Sequence, residues 1–105
     1  MWEDIYGICK EAVANATRHS HASSIRLELA YARDLLVRVS DDGCGIAAEI
    51  VRNGRPGHFG LQGMRERAEK IGGSLKVESK DAVGTTVELT LPGAVAYETE
   101  PGSRR

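Results

Sequence analysis

Leu35-Leu36-Val37-Arg38-Val39-Ser40-Asp41-Asp42-Gly43-Cys44-Gly45 is the stretch on which the fold turns. Leu35, Val37 and Val39 alternate with Arg38 and Ser40, the two-residue period of a strand with one face on a core. Asp41 keeps the apolar parity, so its side chain is expected to point inward, toward a helical layer. A carboxylate there needs a partner, because burying an unpaired charge is costly. Two readings stay open at this point. Asp41 makes a salt bridge or caps the following turn, since Asp before a glycine turn is common. Alternatively, it accepts a donor on a ligand lodged between sheet and helices. Gly43 and Gly45 suit the second reading, because the backbone there can approach a flat ligand without Cβ interference.

Upstream, Ile25, Leu27 and Leu29 alternate with Arg26 and Glu28, and a short turn around Ala32-Arg33-Asp34 makes the two strands an antiparallel hairpin. Before them, Glu3 to Ser20 reads as a helix, with Ile5, Ile8, Cys9, Ala12 and Ala16 on one face. Glu11, Asn15 and Arg18 form a second, polar stripe. At about 100° per residue it lies beside the apolar face rather than opposite it, where a cleft-lining stripe belongs. Downstream, Asp41 to Gly60 is a glycine-rich loop with at most a weak helical turn. Leu61, Met64, Ala68 and Ile71 then mark a second amphipathic helix, stopped by Gly72-Gly73. Leu75 and Val77 define a third strand. After a turn at Asp81-Ala82-Val83-Gly84, Val87, Leu89 and Leu91 define a fourth, ended by Pro92. The expected domain is 1–92, with 93–105 a disordered polar tail.

Bulk properties fit this outline. The 105 residues have room for one domain, a formal net charge of −1 gives no basic field for nucleic acid or anionic lipid, and no apolar run is long enough to span a bilayer. Met1-Trp2-Glu3-Asp4 has neither the basic nor the apolar region of a signal peptide. Cys9 and Cys44 are far apart, form no CxxC, and read as two reduced thiols. Cys9 serves as a small hydrophobe on its helical face. Gly43-Cys44-Gly45-Ile46-Ala47-Ala48 matches a dinucleotide-binding fingerprint, but that fingerprint needs a parallel βαβ unit and here the preceding strands form a hairpin.

Chemistry gathers on the polar stripe and the glycines. Asn15 offers a carbonyl oxygen suited to Mg²⁺, which takes few protein ligands alongside phosphate oxygens and water. Glu11, one turn earlier, is placed to order a metal-bound water, and Arg18 and His19 to meet phosphate charge. Taken alone, this stripe is more often a solvated helix face. Gly57, Gly60 and Gly63 lead into the second helix, where amides at a helix N-terminus cradle phosphates.

The combination is far more specific than its parts. Glu11-Ala12-Val13-Ala14-Asn15-Ala16-Thr17-Arg18-His19 resembles the N box of the histidine kinase catalytic domain, and Asp41-Asp42-Gly43-Cys44-Gly45 its G1 box. Gly57-His58-Phe59-Gly60-Leu61-Gln62-Gly63-Met64-Arg65-Glu66-Arg67 resembles its G2 box, and Gly84-Thr85-Thr86-Val87 its final glycine-threonine motif. The Gly-Met-Arg-Glu-Arg run is similar to the short-lid subfamily that partners helix-turn-helix response regulators. This resemblance implies a Bergerat fold: an α+β, two-layer sandwich with a mixed, mostly antiparallel sheet of about four strands, covered on one face by helices. It implies that Asp41 accepts a hydrogen bond from the adenine amino group, supported by Thr85, with Gly43 and Gly45 shaping the pocket. Asn15 would hold Mg²⁺ and form the catalytic pair with Glu11. Arg18, His19 and the amides of Gly57, Gly60, Leu61 and Gly63 would meet the phosphates, under a short lid between Gly45 and Gly57.

By the same resemblance the chain is a cytoplasmic Mg-ATP-binding catalytic domain. It presents the γ-phosphate to a histidine on a separate dimerisation domain, with a response regulator downstream, and contacts neither nucleic acid nor membrane itself. His19, His21 and His58 do not sit in the phosphoacceptor motif, and the strand that usually precedes the N-box helix is not wholly included. The chain is therefore read as part of a larger kinase, with a membrane anchor in the parent left open. The rival implications are an anti-sigma-factor serine kinase of the same fold and a non-catalytic ATP-gated interaction module.

Overall fold

Residues 1–47, 50–51, 60–80 and 82–96 are described by the computed structural model. Helix α1 spans Trp2–Arg18 and buries Ile5, Ile8, Ala12 and Ala16, the stripe expected from their spacing. Strands β1 (Ile25–Tyr31) and β2 (Leu35–Asp41) form the antiparallel hairpin, with Ile25 opposite Asp41 and Tyr31 opposite Leu35. Helix α2 spans Leu61–Lys70 and buries Leu61, Met64 and Ala68. It closes where the Gly72 N–H donates to the Glu69 carbonyl and the Gly73 N–H to that of Ala68. Strands β3 (Ser74–Lys80) and β4 (Gly84–Leu91) follow.

The sheet runs β1-β2-β4-β3. The resemblance implies a mixed, mostly antiparallel sheet, and all three pairings among the described residues are antiparallel. The reason is topological. β2 and β3 point the same way because α2 carries the chain back between them, but β4 occupies the slot between the two and runs against both. The core is the inner face of β2 and β4 (Leu35, Val37, Val39, Val87, Leu89 and Leu91) packed on α1 and α2. Asp4, buried on α1, is answered by two cations of α2, Arg67 at 3.5 Å and Lys70 at 3.6 Å. On the outer face Arg38 bonds Glu88 at 2.7 Å and reaches Glu28 at 3.5 Å, a cross-strand ladder in solvent.

Two readings change. Leu27, Leu29 and Tyr31 share the inner face by register, yet remain 55%, 50% and 60% exposed. α1 lies over β2 and α2 over β3, so edge strand β1 carries core-type parity without a cover among the described residues. Residues 93–96, expected to be part of a disordered tail, form a short helix α3 (Gly93–Ala96). Ala96 is fully buried, Val95 packs on the core, and the Gly93 N–H donates to the Asp34 carboxylate at 3.1 Å. Four residues are too few to show a helical period, so burial rather than pattern orders them. The rest of that expected tail, residues 97–105, lies outside the described residues.

Candidate functional site

Asp41 ends β2 on the inner parity, directly opposite Thr85 of β4. One carboxylate oxygen accepts the Gly43 N–H at 2.8 Å, so the turn-capping reading is realised. Asp41 joins no ion pair and its other oxygen takes no hydrogen bond among the described residues. That free oxygen belongs to a residue lining a cavity of about 610 Å³, with Val51, Val77, Ser79 and Gly84 among the walls. Behind Asp41 a smaller crevice brings together Asn15, Ser20, Ile46 and Thr85. Asn15 and Thr85 are each 5% exposed, and of the polar stripe Glu11, Asn15 and Arg18 it is Asn15 that lines this crevice.

Close backbone approach explains the key glycines. Gly84 has φ +142°, and a Cβ there would fall 1.9 Å from the Asp41 carbonyl oxygen. Only a residue without a side chain lets β4 start against the end of β2 at that distance. Gly43 presses on the chain just after α1: its Cβ would lie 2.5 Å from that of Ser20. The loop is then stitched on both sides, the Cys44 N–H donating to the Ser20 carbonyl and the Ala82 N–H to the Cys44 carbonyl, each at 2.9 Å. Gly45 backs onto the Lys80 carbonyl.

Glu11 is half-buried against Gly60, the residue preceding α2; a Cβ at position 60 would lie 2.5 Å from the Glu11 carboxyl carbon. The first turn of α2 holds no acidic residue and no side-chain cap, and Glu11 of the neighbouring helix packs its side chain against Gly60 at that end. Leu61 is buried and Gly63 exposed in that first turn. Arg18 and His19 stand exposed at the far end of α1 and line neither hollow. Gly57 lies outside the described residues.

Sequence reasoning passed over three contributors. Ser79 lies opposite Thr85 and bonds its hydroxyl at 2.8 Å. Its parity with Leu75 and Val77 was the available signal. Ile46 buries its side chain in the crevice and donates its N–H to the Ser79 hydroxyl. Arg65 donates to the Val51 carbonyl at 2.7 Å, tying α2 to the helical turn at residues 50–51. Both cysteines are free, and burial pushes the Cys9 thiol pKa up.

Asp42 has a separate, structural task. It accepts the Ser24 N–H, the Ser23 hydroxyl and the Ser23 N–H, each at 2.9 Å, and these bonds, Ser24 first, hold its pKa below the ordinary 3.8. A carboxylate lowered on folding contributes stability that is present above its unfolded pKa and lost as pH falls through the folded one. Asp42→Asn should therefore be less stable than the parent at neutral pH, with the gap closing as pH drops below 3.8 in an acid-unfolding series. A gap undiminished at the acid end of the series would show that the carboxylate's charge is not involved.

Chemically, the cleft sets an acceptor-only carboxylate beside a hydroxyl, which fits a flat heterocycle carrying an amine next to a ring acceptor. Asn15 and Glu11 offer hard oxygens of the kind Mg²⁺ accepts, and the α2 N-terminus suits an anion. Sensor histidine kinase YxjM of Bacillus subtilis is 40% identical over 91 residues, covering 86% of this chain and 21% of that protein. The nitrate/nitrite sensor protein NarQ of Escherichia coli is 37% identical over 99 residues, covering 89% of this chain and 16% of its own length. The chain thus spans about a fifth of the curated relatives it matches. The crystal structure of the ATP-binding domain of PrrB from Mycobacterium tuberculosis shares the fold, with a TM-score of 0.71 at 24% identity over 86% of this chain and 67% of that one. The histidine kinase domain of the Erythrobacter litoralis blue-light-activated kinase aligns with a TM-score of 0.70 at 25% identity, covering 85% and 43%. Residues 2–95 match the histidine kinase-, DNA gyrase B- and HSP90-like ATPase family, and the chain belongs to it.

Proposed function

We propose that this chain is the ATP-binding catalytic domain of a two-component sensor histidine kinase, which holds Mg-ATP and presents its γ-phosphate to a histidine on a separate dimerisation domain. One observation carries the reading: a carboxylate oxygen of Asp41 stands unclaimed opposite Thr85, at the wall of a cavity of about 610 Å³. Asp41 accepts from the adenine amino group, and Thr85, directly or through a water, meets the neighbouring ring nitrogen. Gly43 and Gly45 let the loop close on the base. Asn15 holds Mg²⁺ through its side-chain oxygen and Glu11 orders water beside it. The amides of Gly57, Gly60, Leu61 and Gly63 meet the phosphates, with Arg18 and His19 adding positive charge from the end of α1. Bound Mg²⁺ would supply neutralisation of phosphate charge.

Transfer of this kind is mostly positioning, so the isolated domain binds nucleotide without phosphorylating itself. Its partners are the dimerisation helices of the same kinase and, downstream, a response regulator. The sensor-kinase names of the relatives favour this reading over a serine kinase of the same fold. No helix among the described residues is long and apolar enough to cross a membrane. We place the domain in the cytoplasm, with any membrane anchor elsewhere in the parent kinase.

Calorimetric titration with ATP, with and without Mg²⁺, tests the proposal. The parent chain should bind ATP more tightly with the metal, and Asn15→Ala should remove that gain, about tenfold or 1.4 kcal/mol, while keeping the metal-free affinity. Absence of binding by a folded parent chain would refute the proposal, and a metal gain unchanged in Asn15→Ala would remove the role given to Asn15.

A further inference from the structure

Ser79 sits at the centre of a hydrogen-bonded chain with a direction. The Ile46 N–H, which can only donate, gives its proton to the Ser79 hydroxyl at 2.5 Å. With one lone pair so occupied, the single proton of Ser79 has two acceptors in reach: the Gly84 carbonyl at 3.4 Å and the Thr85 hydroxyl at 2.8 Å. The second distance is the ordinary one for O–H···O and the first lies beyond that range. When Ser79 donates to Thr85, the proton of Thr85 is released toward whatever lies next to Asp41. The alternative arrangement, with Thr85 donating back, gains only the long contact to Gly84. Any ligand acceptor at that point outweighs it.

We infer that Ser79 is a positioning residue for base recognition: it relays the Ile46 amide's polarity to Thr85, so that the Thr85 proton aims at an acceptor beside the group taken by Asp41. The inference rests on the proposed nucleotide reading and deepens it. Successive donors in one direction polarise each other, so the terminal Thr85 proton is a better donor than an isolated hydroxyl. An acceptor carboxylate next to an aimed donor is the complement of the adenine edge, whose amine adjoins the ring nitrogen N1. The guanine edge, a carbonyl beside an N–H, is its inverse.

The test compares ATP with 1-deaza-ATP, which keeps the amine and replaces N1 by C–H. The parent chain should bind 1-deaza-ATP about threefold to tenfold more weakly, the range of one neutral hydrogen bond. Ser79→Ala should shrink that ratio toward one, and Ser79→Thr, which keeps the hydroxyl, should restore it. In a Thr85→Val background, Ser79→Ala should leave the ratio unchanged, because Ser79 acts through Thr85. Ser79→Ala also strips the Ile46 amide of its acceptor, and a purely structural role would weaken both nucleotides equally. That equal loss would overturn the inference and leave the nucleotide reading standing. If Ser79→Ala does not fold, the parent and Thr85→Val still decide: equal affinities of the parent for the two nucleotides, or a ratio untouched in Thr85→Val, would overturn it. A folded parent that binds neither nucleotide would remove the reading beneath it as well.

Discussion

Asp41→Asn should lower ATP affinity by about tenfold to a hundredfold, the worth of a charge-assisted hydrogen bond of roughly 1.5–3 kcal/mol, and should narrow or reverse the preference over GTP. The isosteric amide has one acceptor oxygen. The Gly43 N–H already claims an oxygen of Asp41 at 2.8 Å, so in the variant the amide oxygen stays on the turn and its NH₂ faces the cavity. Adenine then meets a donor with a donor. Guanine, which sets a carbonyl where adenine sets an amine, leaves the native carboxylate facing a lone pair but meets the variant's NH₂ favourably. Because the turn keeps its cap, thermal stability should barely move, and the loss is attributable to the base. Parallel titrations with ATP and GTP check this. Equal affinities of the parent chain for both nucleotides would remove the base-reading role of Asp41.

Gly84→Ala should have the largest effect on folding. At φ +142° an L-residue is strained, and the new methyl would lie 1.9 Å from the Asp41 carbonyl oxygen, 2.9 Å from its carbon and 3.1 Å from the Asp42 Cα. All three are backbone atoms, of the last residue of β2 and the one after it, so no side-chain rotation relieves the overlap and the strand ends must separate. A loss of about 3 kcal/mol or more is expected. For a domain of this size that is a fall in Tm of roughly 12–24 °C. Nucleotide binding should go with it, since the displaced strands carry Asp41 and Thr85. Gly63→Ala is the matched control. Nothing lies within 4 Å of a Cβ there, and it sits in α2, so the added methyl should raise stability by about 0.5–1 kcal/mol. Melting curves of the two variants that moved together would refute the argument from contact.

The paired fates of these glycines show what the sequence could and could not tell. Alternation along the chain is enough to place Asp41 and Thr85 on the inner face, because parity is fixed along a strand. Asn15 was legible for the same kind of reason, its angular offset from the apolar stripe of α1. Ser79 was missed because a serine at an inward position near a turn has no signature of its own. Its meaning comes from Ile46, 33 residues away, and Thr85, across the hairpin. Arg65 and Arg67 stood in a recognisable motif, yet their partners, the Val51 carbonyl and the Asp4 carboxylate, are long-range and invisible to spacing. The uncovered face of β1 was also beyond reach. Periodicity reports that Leu27 and Leu29 point inward, while only the placement of α1 and α2 decides whether anything meets them.

The position of β4 constrains when such a protein can first become competent. The last of the four strands to leave the ribosome is the one that joins the other two pieces of sheet, so a nascent chain released up to β3 holds a hairpin and a stray strand with no ladder between them. Folding of this domain during synthesis therefore waits for residues 84–91, and the Asp41–Thr85 pair, 44 positions apart in sequence, is assembled in that final step.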